Sequence, residues 1–557
     1  VFGLDGNVFF WELATLIDIM LLGHWLEMKS IMGASRALEK LSALIPDIAH
    51  LVQGDDIVEV STTELEEGNT ILIKPGEKIP TDGTVIDGES YVNESMLTGE
   101  AKPVSKSKDD EVIAGSINED GSLKVKVEGV GENSYLSKVI NMVKEAQASK
   151  SKTQNFADKA AFWLTVVALS VGIITFIVWF SIRGDSAFAV ARTATVLVIA
   201  CPHALGLAIP LVTAISTTLS ARNGLLIRNR TSFENARKIS TVIFDKTGTL
   251  TEGKFGVKKI FSYNDYDEDE ILKLAASLEQ NSEHPIAKAI MDEAKEKEIQ
   301  IEESSEFKAL KGKGIEGIIG DKKIQVISPG YAEEIGITKP EDTKDTAGTL
   351  IFVVISKDSN NELAGAILLA DTIREESYQA VEALKNEGIK IWMLTGDNEN
   401  SAKSVAEELN LEGYFAEVLP DQKQQKVKEI QEKDEFVAMV GDGINDAPAL
   451  AQANVGIAIG SGTDIAAETA DIILVNSDPR DIYTLIKFGK ATYRKMTQNL
   501  FWATGYNVIA IPLAAGVLAW AGIILAPAFG AILMSASTII VAVNAKLLRV
   551  KEESNSE

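Results

Sequence analysis

The sequence predicts a multidomain membrane protein: an α-helical transmembrane bundle joined to a β-rich domain, a parallel α/β domain, and an α+β domain inserted into the latter. Three observations lead there. Charged side chains vanish over membrane-length stretches, with no Asp, Glu, Lys or Arg from Ala160 to Ile182 or from Thr497 to Ala545. One long polar insertion between these stretches alternates apolar and polar residues at period two. A second alternates buried-strand runs with helical patterns. The bulk figure of 24% charged residues in 557 would suit a soluble protein and hides this partition.

At roughly 150 residues per domain the length allows three or four units. With 54 basic and 80 acidic side chains the net charge is −26, which excludes a nucleic-acid binder that needs broad basic patches. Cys201 is the only cysteine, so an internal disulfide framework is excluded and the soluble parts fit a reducing compartment. The chain opens at Val1 on an apolar stretch without the basic start of a signal peptide, and reads as a fragment lacking its natural N-terminus.

Five spans follow from apolar length: Val8 to Leu26, Ala160 to Ile182, Thr193 to Ala221, Leu500 to Trp520 and Ile523 to Ala545. The first carries Glu12, Asp18 and His24, so a buried amphipathic helix is its alternative. The uncharged stretch from Thr497 would make a helix of about 74 Å, too long for one crossing of a roughly 30 Å core, and must fold back near Ala526-Pro527. The predicted partition is 1–27 for the first span, 28–157 for the β-rich domain, 158–221 for two spans, 222–254 and 366–496 for the α/β domain, 255–365 for its insert, 497–550 for two spans and 551–557 for a tail. Lys and Arg gather at the span ends facing both insertions, for example Lys150, Lys152 and Lys159 or Arg222, Arg228 and Arg230. Both insertions are therefore cytoplasmic. The first span then starts outside, and a cytoplasmic N-terminus requires an odd number of upstream spans.

The β-rich reading of the first insertion rests on runs such as Leu123-Lys124-Val125-Lys126-Val127 punctuated by Pro75-Gly76, Asp82-Gly83 and Asp87-Gly88. The parallel sheet of the second rests on apolar runs such as Thr241 to Phe244, Ile389 to Leu394 and Phe436 to Val440. Three of its runs end in acidic or hydroxyl residues with glycine: Asp245-Lys246-Thr247-Gly248-Thr249, Thr395-Gly396-Asp397 and Gly441-Asp442-Gly443-Ile444-Asn445-Asp446. Open α/β sheets bind ligands at the carboxyl ends of strands, so these loops can converge. A carboxylate there can attack a phosphoryl group. Asp245 and Asp442 can hold Mg²⁺ while Lys423 and Thr395 stabilise charge on the transferring oxygens.

In the third span stands Cys201-Pro202-His203. Residues two apart on an ideal helix diverge by about 200°, so an unbroken helix cannot aim both at one ion. Pro202 lacks the N–H that would bond the Val198 carbonyl, and Pro210 does the same to Gly206. A thiol beside an imidazole at a broken intramembrane helix makes a soft metal site.

The strings DKTGTLT, TGD and GDGINDAP resemble the P-type ATPase family over essentially the whole chain, and the Cys-Pro-His sequence resembles its heavy-metal, copper- and silver-exporting branch. The resemblance implies an actuator domain, a haloacid-dehalogenase-like phosphorylation domain and an inserted nucleotide-binding domain. It implies that ATP phosphorylates Asp245 with Mg²⁺ held by Asp245, Thr247, Asp442 and Asp446. Lys246, Thr247, Thr395, Gly396, Asp397, Lys423 and Asn445 complete that site. Thr98-Gly99-Glu100 matches the loop whose glutamate aligns water against the aspartyl phosphate; Ala101 departs from the serine frequent there. Glu279, His284, Pro285, Gly312 and Gly314 match nucleotide-contacting positions. Cys201, His203, Tyr506, Asn507, Met534 and Thr538 match the transported-copper site, with Glu27, Asp158 and Glu12 for entry and exit. A thioether favours Cu(I) over Zn²⁺, and the last span lacks the Asp usual in zinc pumps.

The implied protein is a monomeric ATP-driven copper exporter of a prokaryotic plasma membrane, in contact with lipid, fed by a chaperone or thiol donor. Cu(II) or another transition metal is the nearest alternative, then a membrane-tethered phosphatase of the same superfamily, then a metal sensor or passive channel without enzymatic activity.

Overall fold

The computed structural model describes residues 46–549 except 55, 95–102, 132–133, 150, 283, 311–312, 344–347, 358–359, 443–445 and 461–468, together with scattered positions from 14 to 28. The chain divides into two compact units: Val1–Lys238 with Asp471–Asn476 and Thr484–Glu557, and Ile239–Ala470 with Ser477–Tyr483.

The first unit opens with strands β1 (Ile48–Gln53), β2 (Asp56–Ser61), β3 (Thr70–Ile73), β4 (Asp82–Asp87), β5 (Ser90–Asn93), β6 (Val104–Lys106), β7 (Glu111–Val112), β8 (Ile117–Asn118) and β9 (Leu123–Gly129). A six-stranded sheet runs β2-β1-β3-β9-β4-β7 and a small one β6-β5-β8. The period-two pattern works as read: β9 buries Leu123, Val125 and Val127 completely and leaves Lys124 and Lys126 exposed.

Helices α1 (Tyr135–Ala148), α2 (Lys152–Arg183), α3 (Ser186–Ile199), α4 (His203–Ala208) and α5 (Pro210–Arg222) follow. The apolar run from Ala160 lies in α2, which ends at Gly184 in the left-handed conformation (φ 65°). The next span begins at Ser186, earlier than the predicted Thr193, because Asp185 caps the helix through Phe188 N. Arg192, 4% exposed, is accommodated inside the unit by donating to the Leu525 carbonyl at 2.5 Å, so a charge did not mark the boundary. This span is interrupted twice, at Ala200–Pro202 and at Ile209. After β10 (Leu225–Ile227) and α6 (Arg230–Asn235) the chain enters the second unit.

There a sheet of five parallel strands has the order β21 (Val455–Ile459), β20 (Val437–Gly441), β11 (Thr241–Asp245), β18 (Lys390–Leu394) and β19 (Gly413–Phe415). β11 is central, with connections leading to opposite sides, so the strand order reverses there. Inserted after β11 is a six-stranded antiparallel sheet, β12 (Thr251–Ser262), β17 (Asn360–Ile373), β16 (Thr349–Lys357), β15 (Lys322–Ile327), β14 (Gly314–Ile319) and β13 (Ser304–Leu310). Helices α7 (Glu268–Glu279) and α8 (Pro285–Glu296) share a core with one face through Ile271, Leu272, Ile290, Ile324 and Ile367. This sheet begins at Thr251 and ends at Ile373, wider than 255–365, because β12 and β17 pair from Thr251↔Ile373 outward without a break in composition. Helices α9 (Pro329–Glu334), α10 (Glu375–Asn386), α11 (Glu399–Glu408), α12 (Pro420–Gln431) and α13 (Ala447–Gln452) complete the unit.

β22 (Ile472–Leu474) then pairs antiparallel with β10 in the first unit. α14 (Arg480–Ala514) runs on without interruption into the uncharged stretch, so residues 484–496, assigned from sequence to the α/β domain, fall in the first unit. The chain turns at Gly516 and Gly522 (φ 88° and 77°) and re-enters at Pro527 as α15 (Pro527–Lys546). Among the described residues, three helical stretches are long and apolar enough to cross a membrane: the one that contains α2, the interrupted stretch Ser186–Arg222, and α15. Of the first predicted span, Ala14, Ile17, Asp18, Leu21, Leu22, His24 and Trp25 are described, all helical and exposed.

Candidate functional site

β11 and β20 are fully buried, and β18 is buried at Ile391, Met393 and Leu394 after an exposed Lys390 and around a half-buried Trp392. At the strand ends polar groups gather at the reversal of strand order. Asp245 terminates β11, opposite Leu394 of β18. The next five residues form one wide turn, possible because Gly248 takes φ +74°. Arg374 donates to the Gly248 and Thr251 carbonyls at 3.2 and 3.0 Å, and Ser377 to that of Leu250 at 2.8 Å. Neither residue was signalled by any motif: they act through main-chain carbonyls from the far end of β17.

Lys423 is the hub. Its ammonium, on the first turn of α12, donates to Asp245 Oδ1 at 2.5 Å and Asp446 Oδ1 at 2.6 Å, and all three residues are buried. Burial, then the Asp446 carboxylate, pushes the Asp245 carboxyl up to about 7 against the pull of Lys423. Asp446 is raised by burial too. Lys423 itself is held above its usual value: burial would lower it, but the two carboxylates outweigh that. Lys246 turns the other way, to Asp397 Oδ2 at 2.6 Å and Asp371 Oδ2 at 3.7 Å. Asp371 also accepts from Thr251 Oγ1 at 2.5 Å. Asp371 sits in a strand that looks apolar in sequence, so it was missed. Thr395 is buried at the end of β18, where its Oγ1 accepts from Asp397 N at 3.1 Å, and Thr247 is exposed. Thus Asp245, Lys246, Thr395, Asp397, Lys423 and Asp446 come together; Asn445 lies outside the described residues.

The donor set fits a hard cation. Asp446 Oδ2 is buried without a hydrogen-bond partner among the described residues, and exposed Asp442 brings Oδ2 to 4.0 Å from where a Cβ on Gly248 would stand. Among the described residues no three His, Cys, Asp or Glu side chains already stand in metal-holding geometry, since the Lys423 ammonium fills the space between Asp245 and Asp446. Gly441 is required: a Cβ there would come 2.2 Å from Asp446 Oδ2. Gly441→Ala is therefore expected to displace Asp446 and cut phosphoenzyme formation at least tenfold, read by acid-stable ³²P incorporation; unchanged incorporation would show that Asp446 has room to spare. Lys423→Met leaves two buried carboxylates face to face, at a cost of about 3–5 kcal/mol. The expected result is a lowered thermal midpoint together with loss of phosphoenzyme.

In the inserted sheet, Glu279 closes α7 at 5% exposure, and burial pushes its carboxyl up to about 7 against a hydrogen bond from Ser282. His284 opens α8, its Nδ1 accepting from Ile286 N at 3.3 Å, with Pro285 as the first helical residue. Gly314 has φ +135° and an imagined Cβ only 2.1 Å from the Val326 carbonyl, so strand pairing alone demands glycine there; Gly312 lies outside the described residues. Because the folded-state value of Glu279 is raised, its contribution is fully present below about pH 4.5 and lost as pH rises through about 7. Glu279→Gln should then raise the local stability of α7 by about 1–3 kcal/mol at pH 8 and not at pH 4.5. Amide-exchange protection at the two pH values tests this; equal protection in both proteins at pH 8 contradicts the burial argument.

In the helical part, α3 ends at Ile199 and Cys201 N donates to the Val198 carbonyl at 3.3 Å, a 3₁₀-type closure. Pro202 precedes α4, and Pro210 starts α5 after a second break, as the missing N–H groups dictate. Tyr506 on α14 donates to the Ile199 carbonyl at 3.1 Å, at the last residue before the first break. Asn499, unforeseen from sequence, donates to the Ala208 carbonyl at 3.0 Å beside the second and accepts from Asn544 at 2.8 Å. Asn507 is buried, with Oδ1 unpaired among the described residues. Met534 and Thr538 are buried one turn apart on α15, which packs against α3, α4 and α5. Asp158 is exposed near the start of α2; Glu12, Glu27, Thr98, Gly99 and Glu100 lie outside the described residues.

Residues 43–144 match the P-type ATPase actuator domain and residues 239–454 the haloacid dehalogenase-like hydrolases. The chain is 58% identical over 552 residues to a copper-exporting P-type ATPase B of Archaeoglobus fulgidus, covering 99% of this chain and 79% of that one. It is 48% identical to a copper-exporting P-type ATPase B of Enterococcus hirae, covering 97% and 73%. Among solved structures, a zinc-transporting PIB-type ATPase in an E2.Pi state superposes with a TM-score of 0.63 at 31% identity, covering 96% of this chain and 87% of that one. The same carboxylate-tipped sheet and proline-broken helix are thus carried by a chain that belongs to the P-type ATPases.

Proposed function

We propose that this protein exports copper, as Cu(I) and by the same chemistry Ag(I), from the cytoplasm across a prokaryotic plasma membrane at the expense of ATP. The observation that carries the reading is Asp245 at the reversal of strand order, held by Lys423, in the same chain as a helix broken at Cys201-Pro202-His203. An Asp245 carboxylate oxygen attacks the γ-phosphorus of ATP, the bond to the ADP oxygen breaks, and an acyl phosphate forms. Lys423, Lys246 and the Thr395 hydroxyl offset the charge on the transferring oxygens. Asp245, Thr247, Asp442 and Asp446 would hold Mg²⁺, which when bound neutralises phosphate charge. Glu279, His284, Pro285, Gly312 and Gly314 receive the nucleotide. Thr98, Gly99 and Glu100 present a water whose attack restores the Asp245 carboxylate and releases phosphate.

The chemistry of the broken helix supports copper over zinc. The Cys201 thiol and the buried Met534 thioether are soft donors and the His203 imidazole a borderline one, with buried Thr538 and Asn507 and half-buried Tyr506 completing the set, and no acidic side chain occurs from Thr497 to Ala545. The names of the two relatives point the same way. Glu27 and Asp158 would take up the ion and Glu12 release it, with a chaperone or thiol as donor and the pump acting as a monomer among membrane lipids. The test is a vanadate-sensitive ATPase assay on the full-length protein with Cu(I), Cu(II), Ag(I) and Zn²⁺ in parallel: stimulation by Cu(I) and Ag(I) is expected, and stimulation by Zn²⁺ alone refutes the reading.

A further inference from the structure

His24, in the first span, is one of only four histidines in the chain and has no part in the function described so far. Its ring centre lies 6.0 Å from that of His203, with the planes inclined by 52°. An imidazole nitrogen binds a metal at about 2.0–2.1 Å, so two rings holding one ion have centres no more than about 6.5 Å apart. The observed spacing falls inside that limit, and the tilt is not that of a parallel stack. Both residues belong to the first unit.

Sidedness gives the pair a direction. With both insertions cytoplasmic, the first span runs inward and ends just beyond His24, and the interrupted span also runs inward, so His203 lies on the cytoplasmic side of Cys201. The two imidazoles thus meet on the side from which an exported ion enters. Pro202 stands between α3, which ends at Ile199, and α4, which His203 starts.

We propose that His24 is a ligand for the transported ion as it passes into the membrane from Glu27 and Asp158, sharing it with His203 before Cys201 takes it on. The inference rests on the copper reading above and deepens it. Two imidazoles make this position a nitrogen site and leave sulfur for the next stage, so entry tolerates a borderline ion that the thiol then discriminates against. The coordination step exchanges donors only; no electron is transferred.

The experiment uses the full-length protein loaded anaerobically with one equivalent of Cu(I) alongside a non-hydrolysable ATP analogue. X-ray absorption should count two imidazole scatterers per copper in the wild type and one in His24→Ala. The Cu(I) concentration for half-maximal ATPase should rise at least tenfold in that variant. Phosphorylation by inorganic phosphate, which needs no ion, should stay at the wild-type level and reports folding; His24 is exposed, so the substitution opens no core. His24→Met restores a soft donor and should recover Cu(I) activation without the second imidazole. An unchanged imidazole count and activation constant in His24→Ala overturn the inference while leaving the exporter intact. A wild type that Cu(I) does not stimulate removes the copper reading itself.

Discussion

Asp245→Asn should eliminate phosphorylation by ATP and reduce turnover about 10⁴–10⁶-fold, the scale on which loss of a covalent nucleophile is felt. The amide keeps the size and planarity of the carboxylate, so the close approach of Lys423 survives. What disappears is the anionic oxygen. Because burial and Asp446 already work against ionising Asp245, removing its charge relieves repulsion between two carboxylates on one ammonium. The variant is therefore expected to be as thermostable as the wild type or more so while forming no acid-stable phosphoenzyme. That pairing separates a nucleophile from a structural aspartate: residual phosphorylation above about one part in a thousand, or a large loss of stability, would assign the residue another role.

The second large effect is Cys201→Ala. The break before His203 is made by Pro202 and supported by Tyr506, and the next, before Pro210, is supported by Asn499; none of these needs the thiol. The backbone should keep its course, and the site should lose only its softest donor. Copper-stimulated hydrolysis is expected to fall at least 100-fold, since the remaining nitrogen and thioether donors bind Cu(I) without the charge of a thiolate. Phosphorylation by inorganic phosphate, which needs Asp245, Lys423 and the strand ends alone, should persist. Full copper stimulation in this variant would place the transported ion elsewhere.

The legibility of these two sites in the sequence differs for a physical reason. Asp245, Thr395 and Asp442 follow apolar runs that can only be buried strands, so their place at strand ends is local information. The helix breaks are local as well, since a missing N–H acts within four residues. Asp371, Arg374 and Asn499 carried no such mark. Each acts on main-chain atoms or on a partner distant in sequence: Arg374 on a turn more than a hundred residues upstream, Asn499 on a carbonyl in another helix. The early start of the interrupted span was hidden because Arg192, just before the apolar run from Thr193, is a buried donor inside it.

The residues by themselves determined which stretches are apolar over membrane lengths, which alternate into sheets, where the helix must break and which polar side chains stand at strand ends, because hydropathy, periodicity and the geometry of proline act over a few neighbouring positions. Only the tertiary structure decided that Lys423 would stand between Asp245 and Asp446, that Tyr506 and Asn499 would meet the broken helix, and that His24 would approach His203. Those pairings span up to about three hundred positions, and their energies come from burial and charge at distances that chain order does not encode.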